Sequence, residues 1–308
     1  MVEKFSYTGL EISKHHLSLV QLEKTTTGWH LKAKVQKNIA PDTLHMSIKE
    51  KPVKNTENFD NALQDLLRKI KINNRTIAVS LPSEIVKLSL IPLNVSLMDH
   101  EETIQTIKWK LQETVPYDTD YMRVSFQKIS PGRDGEESVL AAVVNKEIVE
   151  QFEQLLVRRK LKAEIIGVSS LNHLNLYSNY LKKNNFTMIL SLYEDYFFFA
   201  AFDESKVAYF RGKKISPFTA SGSREISSTI DYYLSEVEKE RKINKLGISI
   251  ETEDMQNLEH TLNKLYQFEI CHLNPVDAIP SLGNAEHETA INSYTSALGA
   301  AQMLYYKL

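Results

Sequence analysis

A strand, a turn, two further strands and then a helix open this chain, and the same series recurs past its middle. In the first occurrence, Gly9-Leu10-Glu11-Ile12 and Leu17-Ser18-Leu19-Val20-Gln21-Leu22 alternate with period two around the polar break Ser13-Lys14-His15-His16. That alternation predicts a β-hairpin. A third strand is expected over residues 29–35, after the Thr25-Thr26-Thr27-Gly28 turn, and residues 40–53 read as a loop. Phe59, Ala62, Leu63, Leu66, Leu67 and Ile70 then recur at spacings of three and four, the mark of an amphipathic helix. The apolar run Ile77-Ala78-Val79-Ser80-Leu81, stopped by Pro82, reads as a buried strand. In the second occurrence, strands are expected over 186–192, 196–202 and 206–211, followed by a long helix over 223–242. Repeated use of one supersecondary unit predicts an α/β fold built from two related halves.

Between the repeats the pattern changes. Strands over 85–91, 122–129 and 138–145 bracket a helix over 100–113, and a helix over 146–159 follows. This β-α-β-β-α order predicts a compact inserted subdomain. The boundaries are 1–84 for the first half, completed by about 165–185 and a terminal helix over 293–308, then 85–164 for the insert and 186–292 for the second half. A strand over 245–250 and a helix ending near Leu265 belong to the second half.

Composition narrows the classes. The 308 residues are 42% hydrophobic and 25% charged, which is ordinary for a globular chain and too apolar for a disordered one. A net charge of -2, with both signs mixed along the length, provides no general field for nucleic acid. No apolar run reaches the length of a membrane span, so a cytoplasmic protein that meets a membrane only through a partner is expected. The one cysteine, Cys271, lies in an alternating strand-like run and reads as packing. Neither a phosphate-binding P-loop, a dinucleotide fingerprint, a nucleophile elbow nor an H-E-x-x-H helix is present. Adjacent His15 and His16 point to different sides and read as a solvated turn, and His100, His173, His260 and His272 have no ligand spacing, so no metal is expected. The aromatic run Tyr193, Tyr196, Phe197, Phe198 and Phe199 reads as strand core rather than a base-stacking platform, and the charged run 236–242 as a solvated helix end.

Several ordered segments carry a resemblance. Gly9 to Val20 resembles the first phosphate loop of the type IV pilus assembly protein PilM family. Leu81-Pro82-Ser83 with Ile91-Pro92-Leu93 and Val115-Pro116-Tyr117-Asp118 with Asp120 are similar to segments of its inserted subdomain. Asn274-Pro275 and Tyr294-Thr295-Ser296-Ala297-Leu298-Gly299 are similar to its last strand exit and closing helix. The resemblance implies an actin-like fold, a ribonuclease H-like unit used twice, with an insert of the kind also seen in the cell-division actin homologue FtsA. It also implies ATP in the cleft between the halves and a partner, the cytoplasmic tail of the membrane protein PilN, beside the insert.

The nucleotide loops depart from the family at each position that the resemblance marks. In the first, the family's Asp falls on Glu11, its Gly on Ser13 and its Lys on Ser18, with Lys14 inside the turn as a displaced positive charge. In the second, D-x-G becomes Ser191 and Tyr193. In the third, paired glycines become Ile250 and Glu251. A Cβ in a left-handed glycine position costs about 1 to 2 kcal/mol, and a missing ammonium contact roughly 1.5 to 3 kcal/mol. Together these weaken binding by on the order of a hundredfold to a thousandfold. Glu11 is either a surviving metal-ordering carboxylate or an exposed strand charge at the hairpin mouth, and we carry the exposed reading forward.

Pro82, Ile85, Val86, Pro116 and Tyr117 are either the wall of a groove for a partner peptide or hinge and core packing. The resulting expectation is a scaffold of a type IV pilus or related envelope machine. It would bind a PilN-like inner-membrane tail, possess no catalytic residues, hold no cofactor or at most weak Mg-ATP, and self-associate as one option. The alternatives are an actin-like ATP-binding protein with an altered phosphate site and a cytoplasmic platform protein of a type II secretion-like system.

Overall fold

The computed structural model describes residues 5–72, 75–94, 98–129, 137–193, 195–203, 206–237, 245–250, 256–266, 268–284 and 289–307. The chain divides into two units, residues 1–86 with 144–178 and 274–308, and residues 87–143 with 179–273.

The first unit is built on a five-stranded sheet. Strands β1 (Ser6–Ile12), β2 (His16–Thr25) and β3 (Gly28–Asn38) run antiparallel, with Glu11 opposite Ser18. Helix α1 (Thr56–Lys69) starts at Asn55, whose side chain accepts the Asn58 N–H, and it buries Phe59, Ala62, Leu63 and Leu66 along one stripe. Strand β4 (Thr76–Leu81) then pairs parallel to β1, placing Ser80 beside Glu11.

The second unit begins with β5 (Lys87–Pro92), α2 (His100–Leu111), β6 (Met122–Ile129) and β7 (Ser138–Asn145), whose strands form a small sheet in the order β5-β7-β6. Helix α3 (Lys146–Arg158) returns the chain to the first unit and sets Phe152 against Phe59 of α1. Strand β8 (Lys162–Val168) closes the first sheet, in the order β3-β2-β1-β4-β8, with β1, β4 and β8 parallel. Helix α4 (Ser169–Lys183) follows without a break.

Strands β9 (Met188–Leu192), β10 (Tyr196–Asp203), β11 (Lys206–Lys214) and β12 (Lys245–Ile250) repeat the pairing of the first sheet. Helix α5 (Ala220–Tyr232) lies between β11 and β12, capped by Thr219 and extended by a π turn through Val237. Helix α6 (Gln256–Leu265) leads to β13 (Glu269–His272), which completes the order β11-β10-β9-β12-β13. Tyr196, Phe197, Phe198 and Phe199 are all buried on β10, Phe198 stacked on Phe210 at 5.8 Å, so these four are strand core, while Tyr193 is half-buried between β9 and β10.

The helical turns α7 (Pro275–Ala278) and α8 (Thr289–Asn292) precede α9 (Thr295–Lys307), which packs across β1, β4 and β2 of the first unit. Small residues allow that approach: a Cβ on Gly9 would stand 2.0 Å from the Ala297 carbonyl oxygen, and one on Gly299 2.0 Å from that of Asn172.

Several expectations need correcting. Helix α5 begins three residues before the expected 223, and its α-helical part stops at Tyr232 because the backbone widens into the π turn. Residues 238–242 of the expected helix, and with them most of the charged run, lie outside the described residues. Cys271 is only partly buried. Its thiol, 3.1 Å from the Glu269 carboxylate, is pushed up by burial and by that hydrogen bond, which keeps it protonated and unreactive.

Candidate functional site

In open α/β sheets, ligands bind outside the carboxyl ends of the parallel strands. In the first unit those ends are Ile12, Leu81 and Val168, and polar side chains gather around them. Glu11 is the central one. The hairpin alternation puts it on the same side of β1 as Gly9, the side that α9 covers, and only 2% of it is exposed. The expected exposed strand charge is therefore overturned: the head of α9 closes over it.

Burial pushes the Glu11 pKa up to about 8, with the nearby Glu84 charge adding to the rise. The Ser296 hydroxyl and the Ala297 N–H, in the first turn of α9, act in the other direction. Ser296 lies close enough to favour the charged form without making a well-formed hydrogen bond, and one Glu11 oxygen, Oε2, has no hydrogen-bond partner. At neutral pH this carboxyl is mainly protonated, which is a poor state for ordering a metal ion.

Its neighbours are turned elsewhere. Ser18, where the resemblance implies a lysine in the family, is fully buried and donates to the Ser293 carbonyl at 3.4 Å, just ahead of α9. Ser80 accepts from the Asn172 amide at 2.8 Å. Ser83, Ser169 and Ser170 form a buried hydroxyl cluster, with Ser83 Oγ 2.8 Å from Ser169 Oγ and 3.0 Å from Ser170 Oγ. The Ser170 N–H, at the start of α4, donates to Ser83 Oγ at 3.0 Å. Sequence reasoning singled out none of Ser80, Ser169, Ser170 and Asn172. The signal was serine at the exit of one parallel strand and at the start of the helix after another.

The hairpin turn satisfies itself. Ser13 Oγ accepts the His16 N–H at 3.1 Å and the His15 N–H at 3.4 Å and donates to the His16 carbonyl at 3.1 Å, while the Ser13 N–H donates to that same carbonyl at 3.0 Å. Ser13 is not among the residues with a left-handed backbone, so the expected cost of a Cβ in a glycine conformation does not arise. What the serine changes is donor supply, because the Ser13, His15 and His16 N–H groups are used inside the turn. Lys14 is exposed at its tip. His16 also departs from expectation: its Nε2 is buried without a partner, and burial lowers its pKa to about 4, so it is a neutral, enclosed ring rather than a solvated one.

In the second unit, Ser191 is fully buried on β9 with its hydroxyl unpartnered. Tyr193 follows the strand, its N–H donating to the Tyr196 carbonyl at 2.8 Å and its ring packed beside Tyr196 and Phe198. Ile250 belongs to the hydrophobic core with Leu192 and Leu246, and Glu251 lies outside the described residues. The first-loop groups do not fit the phosphates and metal of a nucleotide: the Ser13, His15 and His16 N–H groups are spent inside the turn, and the Glu11 carboxyl is mainly protonated. No cluster of metal-binding side chains occurs among the described residues.

Of the residues considered for a partner groove, Pro82, Ile85 and Val86 are buried in the first unit. Pro116, in the second unit, is exposed. Tyr117 beside it is partly buried, and its hydroxyl is enclosed without an acceptor, which raises its pKa.

The family model of the type IV pilus assembly protein PilM matches residues 9–214. A comparison with curated protein sequences gives no match. Among solved structures, a PilM-PilN type IV pilus biogenesis complex is similar with a TM-score of 0.79 at 15% identity, covering 97% of this chain and 98% of the other. A Bacteroides thetaiotaomicron protein of actin-like ATPase fold is similar with a TM-score of 0.56 at 11% identity, covering 93% and 100%. The cytoplasmic domain of EpsL, an inner-membrane component of the Vibrio cholerae type II secretion system, gives 0.50 at 9% identity, covering 92% and 98%. The fold is actin-like.

Proposed function

The chain belongs to the type IV pilus assembly protein PilM family, and we propose that it is a cytoplasmic scaffold of the pilus machine that binds the tail of a PilN-like inner-membrane protein without hydrolysing ATP. The observation that carries the second half of this reading is the first loop. Its turn is closed on itself by Ser13, and its floor is a protonated Glu11 under the head of α9. Nothing there needs a nucleotide to become ordered. Because no helix among the described residues is long and apolar enough to cross a membrane, the membrane connection in this proposal runs through the partner.

The similarity to a PilM-PilN complex supports a tail as the partner. We place its contact at Pro116, which is exposed, and the accessible part of the half-buried Tyr117 ring beside it. The likeness to the EpsL cytoplasmic domain is one of fold, and the family match favours a pilus machine over a secretion platform.

Melting in millimolar Mg-ATP tests the nucleotide side. A ligand present at a hundred times its dissociation constant adds about 2.7 kcal/mol to stability, a shift of several degrees in a chain of this size. The expected result is an unchanged melting temperature and no phosphate release. A clear rise would favour an actin-like ATP-binding protein that uses Lys14 in an altered phosphate site.

A further inference from the structure

Five cationic side chains, Arg68, Arg75, Arg158, Arg159 and Lys160, line one depression of about 380 Å3 on the first unit. Arg68 comes from the last turn of α1 and Arg158 from the last turn of α3. Arg75 and Lys160 stand at the chain corners beyond those helices. Both corners adopt the left-handed backbone, with φ of 58° at Arg75 and 59° at Lys160, a conformation usual for Gly or Asn and disfavoured for a long side chain. The corners are tied together: the Lys162 N–H donates to the Arg75 carbonyl at 2.8 Å, and the Arg75 guanidinium reaches the Arg159 carbonyl at 3.5 Å.

Few acids compensate this charge. Asp60 takes the Arg159 guanidinium through both carboxylate oxygens. Asp65 stands 3.6 Å from Arg68 but pairs more closely with Lys37, at 2.7 Å. Arg75, Arg158 and Lys160 have no carboxylate partner among the described residues. Cations in a last helical turn are favoured by the helix dipole, which accounts for Arg68 and Arg158. It does not account for two more beyond the helices, on corners where smaller residues fit better. The whole chain carries a net charge of -2, so this is a local concentration of positive charge.

We propose that this corner binds an anion carrying two or more phosphate groups. Four of the five cations are arginines, whose planar forks match phosphate oxygens two at a time, and the depression has the size of a small-molecule site. The site uses none of the residues of the nucleotide loops or of the Pro116–Tyr117 segment, so it stands apart from the scaffold reading.

The test uses the full chain at low ionic strength, titrated calorimetrically with tripolyphosphate and with orthophosphate, and separately sedimented with vesicles of phosphatidylcholine containing cardiolipin, whose headgroup carries two phosphates. The site variant is Arg75→Asn with Lys160→Gly, which suits the left-handed corners and removes two charges. The control is Lys182→Gln with Lys183→Gln, on the exposed end of α4. Tripolyphosphate is expected to bind roughly tenfold or more tightly than orthophosphate, weakening with salt. The site variant should lose about tenfold in affinity while melting at or above the wild-type temperature. The control should bind as wild type. Site-dependent binding to vesicles but not to tripolyphosphate would assign the phosphates to lipid headgroups. Failure to bind either, or an equal loss in both variants, would overturn the proposal.

Discussion

At the residue scale, Glu11 makes the fold pH-dependent in a way that can be signed. Its carboxyl titrates near 4.5 when unfolded and near 8 when folded, so over that interval the folded chain holds the extra proton. Stability from this group is full below 4.5 and is lost as pH rises to 8. The buried rings of His16 and His173, lowered by burial to about 4 and about 3 from 6.5, act oppositely: their contribution grows as pH rises to 6.5. From 6.5 to 8 the unfolded histidines shed their remaining half proton each, which offsets part of the larger Glu11 loss, so a net of roughly 1 kcal/mol of stability should disappear there. Urea unfolding of Glu11→Gln across that range should show the loss abolished. An unchanged slope in the variant would place the titrating group elsewhere.

At the scale of elements, the junction of α9 with β1 governs the site, because it turns an ordinary strand position into an enclosed one. Gly9→Ala should therefore lower stability by about 1 to 3 kcal/mol, since its Cβ meets the Ala297 carbonyl and backbone cannot step aside as a side chain can. Thermal melting checks this, and a neutral effect would mean that α9 is not seated as described. The strands of both repeats were legible because alternation is local, and α1 and α3 because apolar spacing is local. Strand β8 was missed: most of Lys162–Val168 is half-buried without alternation, and Gly167 interrupts its pattern. The burial of Glu11 was not legible either, because period two tells which side of a strand a residue takes but not whether a helix from the end of the chain covers that side. Ser13 was read by analogy with a glycine, and its own ability to close the turn through its hydroxyl was overlooked.

At the scale of the whole molecule, the chain belongs to the PilM family and has the actin-like fold, and its first loop is closed on itself by Ser13. A protein of the PilM family with a self-closed first loop should offer its partner surface whether or not nucleotide is present. Truncating the Tyr117 ring to Ala should weaken tail binding by roughly tenfold or more through lost ring contact with the peptide, with folding checked by melting. The most direct measurement is calorimetric titration of the purified chain with a synthetic cytoplasmic tail of its PilN-like partner, run without nucleotide and again in millimolar Mg-ATP. Binding with a dissociation constant on the order of micromolar, the same in both conditions, is expected; absence of binding, or binding that requires Mg-ATP, would contradict a scaffold that works without hydrolysis.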